Sequence, residues 1–337
     1  MSQIIKNFPL LRYNTFQVEA NTCFFIEFKD IAGIQAFLNS GDAGIFPRFV
    51  LGGGSNVLFT KDFEGIILHP ALKGIEKAGE NSETVRVRVG AGETWDDFVE
   101  YCVAHDWGGV ENLSLIPGSI GACPVQNIGA YGAEVGDVID TVEAIVLENN
   151  KKLLLKAKEC RFAYRDSIFK KELHNRTIIT HVTFRLDKLH RFNTSYPELE
   201  KELDNYPETT LRIIREAVIA IRSRKLPNPA VTGNAGSFFK NPVIEREQAL
   251  RLRRFFPDMR GFDAPDGSVK LSAAWLIEHC GWKGRKTGRT GTHKQQPLII
   301  VNHGGATGEE IFQCAKKIQK AVMNHFAIKL EMEVNVI

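Results

Sequence analysis

Two stretches of small, nearly uncharged residues restrict the fold of this chain more than any other feature of its 337 residues. The first is Gly52-Gly53-Gly54-Ser55-Asn56, set between an apolar run ending at Leu51 and another beginning at Val57. Consecutive glycines admit φ > 0, so successive N–H groups can converge into a nest that holds phosphate. A glycine-rich hairpin turn would use the same residues. The run is not a Rossmann fingerprint, because no G-x-G-x-x-G opens a helix. It is not a Walker A loop, because no Lys-Ser/Thr pair follows. The second stretch, residues 111–132, contains Ile116-Pro117-Gly118-Ser119-Ile120-Gly121-Ala122 and Asn127-Ile128-Gly129-Ala130-Tyr131-Gly132. A solvated loop of that length would carry more charge. This one should be covered, either by a large planar ligand lying on its amides or by the protein's own core.

Composition excludes several classes. With 43% hydrophobic and 25% charged residues the chain is ordinary for a folded protein; a disordered one would be less apolar and more charged. At about 100–200 residues per domain, two or three domains are expected. A net charge of +3 is too mild for nucleic-acid binding, which needs a concentrated basic face. Local groups such as Arg251, Arg253, Arg254 and Lys283, Arg285, Lys286, Arg289 suit solvated faces or a small anionic ligand. The cysteines Cys23, Cys102, Cys123, Cys160, Cys280 and Cys314 form no C-x-x-C pair and no zinc-spaced set with histidine. They read as reduced, mostly buried thiols of a cytoplasmic protein, and no metal site is expected. The first ten residues, MSQIIKNFPL, lack the charged and long apolar regions of a signal peptide. No apolar run approaches the roughly 18 residues of a membrane span.

Periodicity gives a coarse map. Residues 23–28 read as a strand, and Asp30 caps a helix with Ile31, Ile34, Phe37 and Leu38 on one face. Residues 48–51 and 65–69 are short strands. Val85, Val87 and Val89 alternate with Arg86 and Arg88, the pattern of a half-exposed strand. Thr94 begins a helix carrying Trp95, Phe98, Tyr101 and Cys102. Residues 138–147 and 152–156 form a hairpin turning at Glu148-Asn149-Asn150, and 177–186 is a further strand. A helix over 209–224 ends before Pro227 and Pro229, where a domain boundary is expected. Helices near 245–256, 272–279 and 308–325, with strands at 298–301 and 329–336, complete the chain.

The pairing of VLGGGSN (50–56) with SLIPGSIG and QNIGAYG (within 114–132) resembles the FAD-binding elements of the UDP-N-acetylenolpyruvoylglucosamine reductases, the MurB family. YRDSIF (164–169), RKLPNPAVTGNAGSFFKNP (224–242), HKQQPLIIVN (293–302) and LEMEV (330–334) match that family in order, so the resemblance covers nearly the whole chain. The insertion around Ser195-Tyr196-Pro197-Glu198-Leu199 is similar to the long-loop class. The resemblance implies an α+β fold. A two-part FAD-binding region of the vanillyl-alcohol-oxidase/PCMH type is expected over 1–70 and 71–226, with the insertion at about 188–208. A C-terminal α+β substrate domain is expected over 227–327, and residues 328–337 return to the first part. It further implies that NADPH, through non-covalently bound FAD, reduces the enolpyruvyl double bond of UDP-N-acetylglucosamine enolpyruvate. The product is UDP-N-acetylmuramate, a peptidoglycan precursor. NADPH and substrate are expected to take turns at one site, in a monomer with no nucleic-acid or membrane partner.

The chemistry sets demands of its own. Hydride addition builds negative charge on the carboxylate side, which needs donors there, and an acid must protonate carbon. By resemblance, Ser237 is that acid, while Arg165 and Glu333 polarise the carboxylate. On the residues alone, Ser237 reads as a turn or N-cap serine, the commoner fate of a serine after glycine, and Arg165 as an exposed ion-pair partner of Asp166. Glu333 shares a strand face with Glu331, and only the match to LEMEV selects it. By resemblance too, Tyr196, Lys225, Asn241 and Gln296 contact the substrate, with His293 beside them or merely structural. Lys225 alone would suit a helix C-terminus. The cofactor surface is carried over as Gly52, Gly53, Gly54, Ser55, Asn56, Ile116, Pro117, Gly118, Ser119, Gly121, Ala122, Asn127, Gly129, Ala130, Tyr131 and Gly132, with Arg222 reaching toward it. Two departures stand out. The chain ends soon after Glu333, where many members continue, and Cys123 occupies a loop position where small non-thiol residues are common. Two other classes remain open: a flavin oxidase of the related fold, and a nucleotide-sugar binding module without catalysis. The joint presence of Ser237, Arg165 and Glu333 argues against the second.

Overall fold

The structure is a computed structural model and describes residues 3–40, 46–264 and 266–337. In chain order its strands are β1 (Ile4–Pro9), β2 (Asn21–Phe28), β3 (Arg48–Val50), β4 (Val57–Leu58), β5 (Phe63–Pro70), β6 (Ile75–Glu80) and β7 (Thr84–Gly90). There follow β8 (Gly129–Ala130), β9 (Ala133–Glu134), β10 (Ile139–Val146), β11 (Lys152–Lys156) and β12 (Thr177–Asp187). The later strands are β13 (Val243–Ile244), β14 (Gly261–Asp263), β15 (Val269–Leu271), β16 (Lys286–Thr287), β17 (Thr290–Thr292), β18 (Ile300–Asn302) and β19 (Asn335–Val336). The α-helices are α1 (Ile31–Asn39), α2 (Trp95–Ala104), α3 (Pro197–Leu203), α4 (Leu211–Lys225), α5 (Arg246–Phe255), α6 (Ala273–His279) and α7 (Gly308–Phe326). The chain forms two compact units. One comprises 1–8, 22–54 and 63–224; the other comprises 9–21, 55–62 and 225–337. Both mix helices with sheets, and the fold is α+β.

In the first unit, β1-β2-β5-β3 make a four-stranded sheet in which β5 runs parallel to β2 and β3. Asp30 caps α1 by accepting from the Gly33 N–H at 2.7 Å, the interaction that an aspartate before an apolar helix face invites. The larger sheet, β11-β10-β12-β7-β6, is antiparallel throughout. Its alternation is visible in β7, where Val85, Val87 and Val89 are buried and Arg86 and Arg88 face out. Trp95, Phe98 and Phe184 pack at the centre of this core, with Phe98 and Phe184 ring centroids 4.7 Å apart. Truncating one of these rings to alanine would cost about 3–5 kcal/mol.

The two antiparallel sheets of the second unit, β13-β15-β14 and β16-β17-β18, share a core with α7. That helix buries Ile311, Cys314, Ala315, Ile318, Val322 and Phe326, the stripe expected of one helical face. A capping box between Thr307 and Glu310 starts it. Gly308 is required next, since a Cβ there would collide with the Phe59 carbonyl. The chain end is shorter as a strand than the 329–336 expected. Only β19 joins a ladder, parallel to β4, because the preceding backbone turns to bond the segment at Phe238. The strand β1 has no counterpart in the periodicity reading: five of its six residues are exposed and Asn7 has φ +50, so its pattern does not alternate. No helix among the described residues is long and apolar enough to cross a membrane. They hold no cluster of three side chains fit to bind a metal ion.

Candidate functional site

The two glycine-bearing stretches meet in the first unit. A Cβ on Gly52 would lie 2.7 Å from Ser119 Oγ, and one on Gly53 would lie 3.0 Å from Gly118 Cα and 3.3 Å from Ser119 N. Glycine is therefore needed there for close approach of two backbones, whereas Gly54 (φ +66) and Gly118 (φ +130) turn the chain. The second stretch is pinned from beneath. The Trp95 N–H, an orphan donor at the start of α2, donates to Gly118 O at 3.0 Å, and the Gly121 N–H donates to Ala91 O at 2.8 Å. Asp96 accepts from the Leu115 N–H at 2.5 Å and from both terminal nitrogens of Arg215 at 2.7 and 3.1 Å. Leu115 sits at φ +59, so that carboxylate holds a strained residue immediately before Ile116 and Pro117.

Residues 127–132 are held as firmly. Asn127 is buried and at φ +46; its Nδ2 donates to Glu134 Oε2 at 2.6 Å, and its Oδ1 accepts from the Gly136 N–H at 2.8 Å. Arg165, itself at φ +54, donates from Nη2 to Gly129 O at 2.6 Å and from Nη1 to Asn127 O at 3.3 Å. Asp166 also meets Lys171 Nζ at 2.5 Å. Arg165 is thus part of the same surface as Gly129 and Ala130. The ring of Tyr131 packs edge-on against Tyr196, with centroids 5.4 Å apart. Burial pushes the Tyr131 hydroxyl up to about 12, against the pull of the nearby Arg222 guanidinium. Burial pulls Arg222 down, with the Tyr131 hydroxyl opposing that shift.

These residues suit FAD. The segments at Gly52, Gly53, Gly118 and Ser119 form a cradle that a Cβ would fill. Ser119 Oγ is buried there without a hydrogen-bond partner, and so is Arg222 Nε near Tyr131, an arrangement that costs stability unless a ligand or water satisfies it. Hydroxyl, guanidinium and main-chain N–H groups are the donors that a dinucleotide pyrophosphate takes. Cys123 is fully enclosed beside this loop, and burial holds its thiol pKa well above the usual value, so it is an inert filler.

Ser237 and Glu333 lie together in the second unit. Asn234 Oδ1 accepts from the Gly236 N–H at 3.0 Å, and Gly236 turns at φ +68 to present Ser237. Ser237 bridges Ile299, and the Phe238 N–H donates to Leu298 O at 2.9 Å. From the other side the Glu333 N–H donates to Phe238 O at 2.8 Å, and Asn56 Nδ2 donates to Glu333 O at 3.2 Å. Glu331 points elsewhere: its carboxylate is exposed and meets Lys240 Nζ at 2.5 Å. Lys240, Asn112 and Asp96 are site neighbours that sequence reasoning missed; none belongs to a local pattern.

Lys225 and Gln296 line one cavity of about 530 Å³, with Arg260, Trp275, Lys283 and Gln295 among its walls. Gln296 Oε1 is buried there without a partner, while Gln295 is exposed. Lys225 is also the last residue of α4, so its charge suits the helix end as well. Asn241 stands beside the cavity wall, its Oδ1 accepting from the Ala273 N–H at 2.9 Å at the start of α6. His293 Nδ1 is buried and unpartnered, and burial, with Lys294 nearby, lowers its pKa.

A glycine-lined cradle in one α+β unit and a polar cavity in another are features of a flavin-binding oxidoreductase. Comparison with known proteins places the chain more closely. The family model described as FAD binding domain matches residues 24–149, and that described as UDP-N-acetylenolpyruvoylglucosamine reductase, C-terminal domain, matches 228–337. The UDP-N-acetylenolpyruvoylglucosamine reductase of Bacteroides fragilis is 44% identical over 332 residues, 98% of this chain and 99% of that one. That of Amoebophilus asiaticus is 45% identical over 334 residues, 98% of each. The chain belongs to the UDP-N-acetylenolpyruvoylglucosamine reductase family. The crystal structure of the Thermus caldophilus enzyme shares the fold, with a TM-score of 0.68 at 21% identity, over 100% of this chain and 98% of that one.

Proposed function

We propose that this protein reduces the enolpyruvyl group of UDP-N-acetylglucosamine enolpyruvate to UDP-N-acetylmuramate, a peptidoglycan precursor, with NADPH as donor. The observation that carries the proposal is the strip in which Ser237 and Glu333 adjoin through the bond from the Glu333 N–H to Phe238 O. Residues 1–70 and 71–226 are read as the two parts that hold FAD, 227–327 as the substrate domain, and 328–337 as returning to the first part. The protein acts in the cytoplasm as a monomer, with no nucleic-acid or membrane partner.

FAD held non-covalently on the segments at 52–54, 118–119 and 127–132 would supply the hydride transfer between NADPH and the vinyl carbon. The chain itself supplies the proton and stabilises the charge. Ser237 Oγ–H protonates the adjacent carbon, and solvent restores its proton. A hydroxyl is a weak acid, so it acts only where the developing carbanion is drawn toward the carboxylate. Arg165 and Glu333 do that work on the substrate carboxyl. The two carbonyls that Arg165 donates to fix its guanidinium in place, so no reorganisation is needed as charge develops. Lys225, Gln296 and Asn241 hold the diphosphate and sugar, and Tyr196 covers the nucleotide.

The test is NADPH consumption by the yellow, FAD-loaded protein with and without the enolpyruvyl nucleotide. Strong stimulation with one UDP-N-acetylmuramate formed per NADPH is the expected result. Slow oxidation by oxygen alone, unchanged by the nucleotide, would instead mark a flavin oxidase of the related fold. Colourless protein that takes up no FAD would leave only a binding module.

A further inference from the structure

The mechanism leaves Asn112 unused, yet it is buried at the centre of the first unit, only 2% exposed. Its Nδ2 donates twice: to Tyr131 O at 2.8 Å and to Asn193 O at 2.7 Å. The first carbonyl belongs to the segment assigned to FAD, the second to the insertion that carries Tyr196. Asn193 returns the contact, its Nδ2 donating to Gly132 O at 2.9 Å, and Ser195 Oγ donates to Asn193 Oδ1 at 3.1 Å. Three residues beyond Asn193, the Tyr196 ring meets Tyr131 edge-on. Tyr131 and Gly132 both have positive φ, +48 and +84, which turns their carbonyls toward the insertion.

We infer that Asn112 is a positioning residue that latches the Tyr196-bearing insertion to the flavin segment. Both of its neighbours are carbonyl oxygens, so only the amide end of the carboxamide can serve; its own oxygen has no partner. An aspartate of the same shape would set a carboxylate against two acceptors and open the latch. Away from Asn193 to Tyr196 the insertion is held by other contacts: His190 meets Asp106 at 2.9 Å, Arg224 donates to Glu202, and Phe192 and Leu203 pack with the α4 core. Asn193, Ser195 and Tyr196 are exposed, and Leu199 is the buried anchor of the short helix α3. Asn112 sets the starting position of Tyr196 and leaves the reacting groups alone. The consequence for Tyr196 rests on the proposed function; the latch itself does not.

The test has two arms on FAD-loaded protein. In Asn112→Asp, amide hydrogen exchange over 193–199 rises about ten-fold, the worth of one to two hydrogen bonds, while α4 is unchanged. Unchanged exchange over 193–199 would overturn the latch. In the kinetic arm KM for the enolpyruvyl nucleotide rises about ten-fold with kcat nearly constant. In a Tyr196→Ala background, Asn112→Asp adds nothing further to KM; an additive rise would make Asn112 merely structural. Asn193→Ala leaves the buried site intact and removes the return bond to Gly132. It moves exchange in the same direction by a smaller factor, and so decides the matter if Asn112→Asp does not fold. If the wild-type protein shows no nucleotide-stimulated turnover, the proposed function fails while the exchange arm still judges the latch.

Discussion

The main-chain N–H of Glu333 donates to the carbonyl oxygen of Phe238 at 2.8 Å, one residue from Ser237. A bond between two backbones persists when either side chain changes. Ser237 and Glu333 can therefore be substituted without separating the segments that carry them.

Ser237→Ala is expected to keep the fold and the FAD, since Ser237 is placed by its backbone bridge to Ile299 and by the Gly236 turn. NADPH should still bleach the flavin in a single turnover. Steady-state reduction of the enolpyruvyl nucleotide should fall by about 10²–10⁴-fold, the range for loss of a positioned acid. Stopped-flow absorbance separates the two half-reactions, and near-normal turnover would remove Ser237 from its role.

Glu333→Gln and Glu331→Gln form a matched pair. Glu331 is exposed and engages Lys240. A surface pair is worth about 0–1 kcal/mol, so Glu331→Gln should barely change turnover. Glu333→Gln should lower kcat by about 10²-fold, as removal of one charge-stabilising group does. Steady-state kinetics on both variants decides between the two carboxylates, and a larger loss at Glu331 would reverse the assignment.

How far the sequence revealed the site depends on distance along the chain. The Asp30 cap, the β7 alternation and the α7 stripe were legible because each is written within one helical turn or one pleat. The glycine stretches were legible as places of close approach, although that Gly53 faces Gly118 required the fold. Asn112 was silent. Its two acceptors stand 19 and 81 residues away, and an asparagine in ENLS carries no local signal of a buried double donor. Asp96 is an acid in the first turn of α2, where it suits the helix dipole, but its hold on the Leu115 N–H has no local signal. For Glu333 over Glu331, period two put both on one face. The choice came from family resemblance and not from physics.

Gly53→Ala should weaken FAD binding more than Gly236→Ala. At Gly53 a Cβ meets backbone at Gly118 and Ser119 at 3.0–3.3 Å, and backbone cannot swing aside. An FAD affinity loss of about ten-fold, equivalent to ~1.4 kcal/mol, is expected from fluorescence titration of the apoprotein. Gly236 has open space around its Cβ position but φ +68. Its replacement should cost about 1–2 kcal/mol of stability and perturb Ser237, with FAD affinity retained. Equal FAD affinity in wild type and Gly53→Ala would show that the cradle is not the dinucleotide site.

Cysteine labelling tests the reading of Cys123. Burial raises its thiol pKa well above the usual value, and that of Cys102 likewise. Cys23 and Cys280 are only half-buried, and burial raises the Cys280 thiol too. Iodoacetamide at mildly alkaline pH should therefore modify Cys23 first, Cys280 more slowly, and leave Cys123 untouched until the protein unfolds, as mass spectrometry would read out. Rapid labelling of Cys123 in the folded protein would mean that the flavin loop opens.

His181 supplies a pH dependence of stability. Its pKa is lowered first by burial and then by Arg88, against the opposing pull of Glu143 and Glu76. Its Nδ1 is buried without a partner and stands 3.8 Å from Glu143, too far for a hydrogen bond. The folded pKa therefore lies below the unfolded value of about 6.5. As pH falls below that value, the unfolded chain takes up a proton that the folded chain refuses, so stability present above it is lost through the folded pKa. Thermal unfolding should shift downward between about pH 7 and pH 5, and less so in His181→Gln, which cannot titrate. An identical shift in both proteins would place the acid sensitivity in other groups.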